Sequence, residues 1–207
     1  MSTFKVGILH SLHGTMAKSE KPLVDASLLA IDEINSTGGI LGNRIEPVIE
    51  DGASDPAIFT EKANKLIQKD NITTIFGCWT SFARKAIKPI IEKSNSLLWY
   101  PVQYEGLESS KNIIYTGSCL NQQIYPAVRW LIKNQKKRFF LIGSNYVFPR
   151  TANKFIKAEL KQQNCQVLAE EYKPLGTNDF TDIISQIKEV QPDVIFNTLN
   201  GDSNFSF

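Results

Sequence analysis

The chain has 207 residues, of which 42% are hydrophobic and 21% charged, and its formal net charge is +2. A chain of this length can bury one large core or two small ones, and its composition is typical of an ordinary globular protein. The small net charge argues against a nucleic acid as a partner. No apolar run approaches the roughly 20 residues that a membrane-spanning helix needs.

The first part of the chain alternates apolar runs with amphipathic segments, which predicts βαβ units around a parallel sheet. In the first amphipathic segment Leu23, Ala26, Ala30 and Ile34 recur at helical spacing, and the glycines at 38–39 should end that helix. The predicted strands cover residues 4–9, 45–50, 72–76, 96–100 and 113–115, and the further helices cover residues 56–69 and 82–93.

After Asn121 the alternation begins afresh, which predicts a second parallel sheet. The predicted strands cover residues 139–142, 166–170 and 193–198, and the helices run to residue 134 and then over 150–163 and 180–190. Residues 200–207 have the composition of a turn. The fold class is therefore α/β, with two Rossmann-like parallel-sheet lobes.

Cys78, Cys119 and Cys165 are widely spaced along the chain and form no C-x-x-C pattern. Three cysteines cannot all pair within one chain. We therefore expect all three to be buried free thiols.

The residues that could support catalysis or bind a metal are few. Ser81 is a poor candidate for a nucleophile, because the Gly-x-Ser-x-Gly motif is absent and the histidines, His10 and His13, lie in one loop. Two histidines without a third clustered ligand also make a poor metal site. No phosphate-cradling glycine loop occurs. We expect a protein that is not an enzyme and that uses no cofactor and no metal.

Ligands of open parallel sheets bind beyond the carboxyl ends of the strands, which selects four loops here. These loops are rich in Trp, Tyr and hydroxyl side chains and cover residues 10–15, 77–81, 100–106 and 143–150. Aromatic walls exclude water, while hydroxyl and backbone N–H groups orient a bound molecule. The loops predict a site for a small, neutral, polar solute.

Structural roles are the alternative for the most prominent of these side chains. Ser81 directly precedes a predicted helix, so its hydroxyl could cap that helix. Capping and ligand binding are compatible, since N–H groups at a helix start also bind carbonyl or carboxylate groups. Trp79 and Tyr104 could be structural aromatics at the edge of a lobe.

Five ordered segments resemble one family closely: GILHSLHGTMA at 7–17, GGILG at 38–42, GCWTS at 77–81, YPVQYEG at 100–106 and YVFPR at 146–150. They resemble the urea and short-chain amide binders of the type I periplasmic-binding-protein class, and nearly as much the cytoplasmic amide sensors of that fold. The resemblance implies a protein whose two lobes close around a solute. His13, Asn145 and Phe148 depart from the residues that are usual in the family.

The resemblance also implies which residues bind the solute. The predicted set comprises five positions that line the pocket in the family and three of their neighbours: Trp79, Ser81, Tyr100, Val102 and Tyr146, with Thr80, Gln103 and Tyr104.

The domain organisation follows from the same resemblance. Residues 1–117 are assigned to the first lobe, 118–121 to a hinge, 122–198 to part of a second lobe, and 199–207 to a second hinge crossing. Because the family is longer, we expect the second lobe to be incomplete here. This 207-residue chain should then bind its solute poorly or not at all, and uncovered apolar surface should favour self-association.

The function implied is solute binding for an ABC permease, and the alternative is a ligand-sensing domain of a receptor or regulator, possibly for amino acids. Expected partners are thus a small polar solute (urea, an amide or an amino acid) and a permease or signalling protein. The N-terminus runs directly into a predicted strand, which leaves no room for a signal peptide. The expected location is periplasmic or extracytoplasmic after removal of a signal, and the alternative is cytoplasmic.

Overall fold

A computed structural model describes residues 3–207. The chain divides into two compact units. The first runs to Val102 and includes Leu107–Gly117, and the second comprises Gln103–Gly106 and Ser118–Phe207. Each unit has a parallel sheet with helices packed against it, so the predicted α/β class is confirmed.

The first unit contains a five-stranded parallel sheet with the strand order β2-β1-β3-β4-β5. Its helices are separated by strands, as the alternating pattern predicts. The strands are β1 (Thr3–His10), β2 (Arg44–Asp51), β3 (Thr74–Gly77), β4 (Leu97–Tyr100) and β5 (Ile113–Tyr115), and the helices are α1 (Ala17–Ser36), α2 (Pro56–Asn64) and α3 (Ser81–Lys93).

The two faces of this sheet are covered to different extents. On one face Leu9, Ile75 and Leu98 are fully buried. The other face packs its β1 end against α1, but farther along it lines an open cavity of about 830 Å³. The rings of Phe76 and Trp99 stack in that cavity, with their centroids 6.0 Å apart. This face of the sheet is therefore only partly covered by α1.

The second unit contains a three-stranded parallel sheet with the order β7-β6-β8. Phe139 and Leu141 of the central strand pack against α4 and α5, whereas Phe140 and Ile142 pack in a second cluster with α6. The strands are β6 (Arg138–Ser144), β7 (Gln166–Lys173) and β8 (Val194–Thr198), and the helices are α4 (Leu120–Lys133), α5 (Val147–Gln162), α6 (Thr181–Val190) and α7 (Asp202–Ser206).

Several predicted boundaries are wrong, and most errors lie at the ends of strands. The second helix changes to π-helical geometry over Lys65–Lys69. Strand β6 continues to Ser144 and α5 begins at Val147, so both take residues from the predicted 143–150 loop. The predicted turn at 200–207 contains a short helix, Asp202–Ser206, whose amide at Asn204 bonds to the Gly201 carbonyl.

The cysteine prediction is correct for only one residue as far as burial is concerned. All three cysteines are free thiols, but Cys119 and Cys165 are only half-buried. Cys78 is completely buried, and burial raises the pKa of its thiol well above the ordinary value. That thiol therefore stays protonated and unreactive at neutral pH.

Candidate functional site

The connection from β3 to α3 makes an unusually close approach to β1. A Cβ atom on Gly77 would lie 2.3 Å from the carbonyl oxygen of Leu9, so no other residue fits there. The next residue, Cys78, has a left-handed backbone with φ 65 and donates its N–H to the same carbonyl at 3.0 Å. Such strained backbone is typical of functional sites. The connection presents Trp79, which is half-buried, at the carboxyl end of the sheet.

Thr80, not Ser81, is the residue that caps helix α3. Its backbone is extended, and its hydroxyl accepts the N–H of Ala83 at 3.3 Å. The prediction that Ser81 caps the helix is therefore wrong by one position. Ser81 is the first residue of the helix, and its side chain is available for other bonds.

The Ser81 hydroxyl contacts a buried arginine that sequence analysis missed. Arg84 Nη1 donates to Ser81 Oγ at 3.1 Å, and Arg84 Nε donates to Glu108 Oε1 at 2.9 Å. The Arg84 side chain is 0% exposed, which makes it one of the largest fully buried side chains in the protein. No sequence motif marks Arg84 or Glu108, because an arginine on an amphipathic helix ordinarily faces solvent.

Tyr100, at the end of β4, lies against this arginine. The guanidinium carbon of Arg84 is 4.7 Å from the centroid of the Tyr100 ring and 5.7 Å from that of Tyr115. The Tyr100 hydroxyl donates to the Trp79 carbonyl oxygen at 2.5 Å. Burial raises the pKa of Tyr100 well above its ordinary value, so the hydroxyl keeps its proton. The ends of β3 and β4 are thereby joined through side chains.

Glu108 neutralises the buried guanidinium. Burial alone would raise the pKa of its carboxyl, but hydrogen bonds from Lys85 and Tyr115 and the charge of Arg84 lower the pKa to about 2. Lys85 Nζ lies 2.8 Å from Glu108 Oε2, and the Tyr115 hydroxyl donates to Oε1 at 2.8 Å. Glu108 is therefore ionised at neutral pH, and the Arg84 charge is compensated inside the unit.

The loop after β1 is fixed by two carboxylates. Glu20 Oε2 accepts the Ser11 N–H at 2.8 Å and lies 3.1 Å from His10 Nδ1, deep in the unit. Asp51 Oδ2 lies 2.6 Å from His13 Nδ1 at the surface. The two histidines thus contact different carboxylates. Within residues 3–207 no group of three His, Cys, Asp or Glu side chains is arranged to hold a metal ion.

The segment after β4 is shared between the units. Val102 ends the first part of the first unit and is 6% exposed. Gln103 and Tyr104 belong to the second unit, where the Tyr104 N–H donates to the Ser118 carbonyl at 3.1 Å. Of the predicted residues, the first unit therefore brings together Trp79, Thr80, Ser81, Tyr100 and Val102, and the second unit contains Gln103, Tyr104 and Tyr146.

In the second unit, the connection from β6 to α5 resembles the one after β3. A Cβ atom on Gly143 would lie 2.4 Å from Thr198 Oγ1, so this strand end is also crowded. Ser144 Oγ accepts the Asn200 N–H at 3.0 Å. Tyr146 follows, half-buried, directly before α5. Each unit thus has an aromatic side chain between a strand with a glycine at or next to its C-terminal end and the helix that follows.

The fold and these loops define a class, the α/β carriers that bind ligands beyond the carboxyl ends of parallel strands. The family model described as "Periplasmic binding protein domain" matches residues 4–207. The chain belongs to this family, which confirms the predicted class.

Three relatives with named ligands are about one quarter identical to this chain. A Leu/Ile/Val-binding protein of Rhizobium johnstonii is 25% identical over 198 residues, covering 92% of this chain and 53% of its own length. A solute-binding protein of an ABC transporter from Rhodopseudomonas palustris, solved with 3,4-dihydroxybenzoic acid, is 25% identical with a TM-score of 0.88 and covers 95% of this chain and 54% of its own. A branched-chain amino acid binder of Streptococcus pneumoniae, solved with isoleucine, is 24% identical with a TM-score of 0.87 and covers 95% and 57%.

These relatives bear on two expectations from sequence. The chain spans about half the length of the relatives it matches. The names of these relatives give branched-chain amino acids and an aromatic acid as ligands, so they give no support to urea or a short amide. A search of the helices in the described part of the chain found none that is long and apolar enough to cross a membrane.

Proposed function

We propose that this chain binds a small polar solute for an ABC permease, at the loops that follow β3, β4 and β6, and that it carries out no chemistry on the solute. The observation that supports this most is the strained connection after β3. Gly77 lies too close to Leu9 to carry a side chain, Cys78 has a left-handed backbone, and the next side chain is the aromatic Trp79. The named relatives are solute-binding proteins, and an extracytoplasmic location goes with that function.

For the solute itself we propose urea or a short amide. The motif resemblance favours these compounds, and so do the charges of the site. The Arg84 guanidinium is already bonded to Glu108 and to Ser81. A ligand carboxylate would therefore gain little from Arg84. A neutral amide needs only hydroxyl groups, backbone groups and aromatic walls. Leucine and 3,4-dihydroxybenzoate are the competing solutes, because relatives bind ligands of those classes.

Isothermal titration with urea, acetamide, leucine and 3,4-dihydroxybenzoate tests both the binding function and the identity of the solute. We expect heat from urea or acetamide only, at up to millimolar solute concentrations. Trp79→Ala should weaken that binding by roughly one to two orders of magnitude, since a buried aromatic wall contributes on the order of 2 kcal/mol. The control is Trp130→Ala, because Trp130 lies exposed on α4.

The outcomes distinguish a failure of the proposed solute from a failure of the binding function. Binding of leucine or dihydroxybenzoate alone would replace the proposed solute but keep the function. Binding of none of the four compounds would contradict solute binding by this chain. Unchanged affinity in Trp79→Ala would leave the tryptophan a structural role only.

We further propose that the chain self-associates through the partly covered face of its first sheet. Phe76, Trp99 and Phe4 line the cavity there, and apolar surface of this kind associates with itself in water. Light scattering at increasing concentration should show mass above that of a monomer. A monodisperse monomer at high concentration would contradict it.

A further inference from the structure

A row of hydrogen bonds runs behind Trp79 and has a single possible direction. It begins at Arg84, whose guanidinium can only donate, and ends at the Trp79 carbonyl, which can only accept. Arg84 donates to Ser81 Oγ at 3.1 Å, and the Tyr100 hydroxyl donates to the Trp79 carbonyl at 2.5 Å. The Tyr100 hydroxyl is hydrogen-bonded to the Ser81 hydroxyl and also directly to the Arg84 side chain. Because Tyr100 uses its hydrogen on the carbonyl, Ser81 must donate to Tyr100.

Burial makes this row more than a set of surface contacts. Arg84 and Tyr100 are 0% exposed and Ser81 is 1% exposed, so water does not compete for these bonds. A row that starts at a full positive charge is also polarised along its length, which strengthens each bond. The free energy that holds the Trp79 peptide in place is therefore coupled to Arg84.

We propose that Arg84 is a positioning residue of the solute site, acting on Trp79 through Ser81 and Tyr100. This inference rests on the proposed function, because it takes the Trp79 connection as the part that meets the solute. It also changes the role expected of Ser81. The hydrogen of the Ser81 hydroxyl is committed to Tyr100, so Ser81 serves the site by relaying the bond from Arg84.

A single NMR signal reports on the end of this row. The chain contains one Trp-Thr dipeptide, Trp79-Thr80, so labelling Trp carbonyls with ¹³C and Thr amides with ¹⁵N gives one correlated signal. Losing the bond from Tyr100 makes the carbonyl less polarised and moves its ¹³C frequency upfield. Tyr100→Phe, which retains the ring, calibrates that displacement.

The decisive variant is Arg84→Lys. Lysine retains the charge opposite Glu108 but lacks the planar fork that reaches both Glu108 and Ser81. We expect the Trp79 carbonyl frequency in Arg84→Lys to move in the same direction as in Tyr100→Phe. Acetamide affinity should fall roughly three- to ten-fold, the amount that one hydrogen bond is typically worth. Ser81→Ala removes the bond that Ser81 donates to Tyr100 without touching the ion pair. The carbonyl frequency should then move in the same direction as in Arg84→Lys but by less, because Arg84 still bonds to Tyr100 directly.

The matched control is Lys85→Ala. Lys85 also bonds to Glu108, through Nζ at 2.8 Å from Oε2, but its side chain is 40% exposed. It should leave the carbonyl frequency and the affinity unchanged. A wild-type carbonyl frequency in both Arg84→Lys and Ser81→Ala would overturn the inference. Because this signal is recorded without solute, it decides the role of Arg84 even where no solute binds, which is the separate failure of the proposed function.

Discussion

Arg84 and Arg150 occupy comparable places in the two units but have different surroundings. Each lies seven residues after a glycine that lies within the C-terminal end of a strand, in the first turns of the helix that follows. Arg84 is fully buried and bonded to Glu108 and Ser81. Arg150 is exposed, donates to Asn145 Oδ1 at 2.7 Å and lies 4.2 Å from the Tyr172 ring centroid. The comparison predicts that burial of the charge, not its position along the helix, decides how much an arginine contributes to stability.

The largest expected effect is that of Arg84→Ala on stability. Removing the guanidinium deprives the Glu108 carboxylate of its buried partner, although the bond to Lys85 remains. It also leaves a cavity where the buried side chain was. We expect the free energy of unfolding to fall by about 3 kcal/mol or more, as when one partner of a buried ion pair is deleted. Calorimetry of thermal unfolding of the variant and the wild type measures it. A loss below about 1 kcal/mol would show that the pair is not structurally important.

A related effect should appear on acidification. The folded-state pKa of Glu108 is about 2, below its ordinary value of 4.5. A depressed carboxyl pKa stabilises the fold above the unfolded-state value, and the stabilisation is lost as the pH falls toward the folded-state value. We expect a loss of at most about 3 kcal/mol between about pH 5 and pH 2, and less where solvent screens the Lys85 side. Glu108→Gln should flatten this part of a plot of unfolding free energy against pH, and an unchanged slope would contradict the assignment.

The smallest expected effect is that of Arg150→Ala. An exposed arginine on a tyrosine face contributes about 0.5–1 kcal/mol, and its bond to Asn145 is open to water. We expect calorimetry of thermal unfolding to show a loss of about 1 kcal/mol or less. A loss as large as that of Arg84→Ala would remove the distinction between the two arginines.

Sequence reasoning predicted most of the architecture because the hydrophobic period repeats strongly in this chain. It placed every strand within a few residues and selected the loops after β3 and β6 from the geometry of parallel sheets. It could not predict the burial of Arg84. Arg84 and Glu108 are 24 residues apart, and their pairing depends on β4 and β5 bringing Tyr100 and Tyr115 around the guanidinium. Sequence reasoning also could not decide between Thr80 and Ser81 as the cap of α3, because both residues carry a hydroxyl group at the start of the helix.

Helices α5 and α7 contain residues that were predicted to lie in a loop or a turn, and the cause is similar. Val147 and Phe148 were assigned to the loop after β6, but they begin helix α5, whose first turn tolerates the proline at 149. Residues 202–206 are rich in turn formers, and tertiary contacts accompany their helical turn, among them the packing of Phe207 against Phe180, with ring centroids 5.3 Å apart. Local composition therefore underestimated both helices.

The central claim is that the connection at Trp79 meets a small solute, and the Trp79-Thr80 NMR signal tests it most directly. Acetamide or urea added in steps to millimolar concentration should move this signal along a saturating curve, while the exposed indole of Trp130 stays in place. Movement of the Trp79-Thr80 signal that saturates with the bound fraction is the predicted result. A signal that stays unchanged with urea, acetamide, leucine and 3,4-dihydroxybenzoate would contradict the claim.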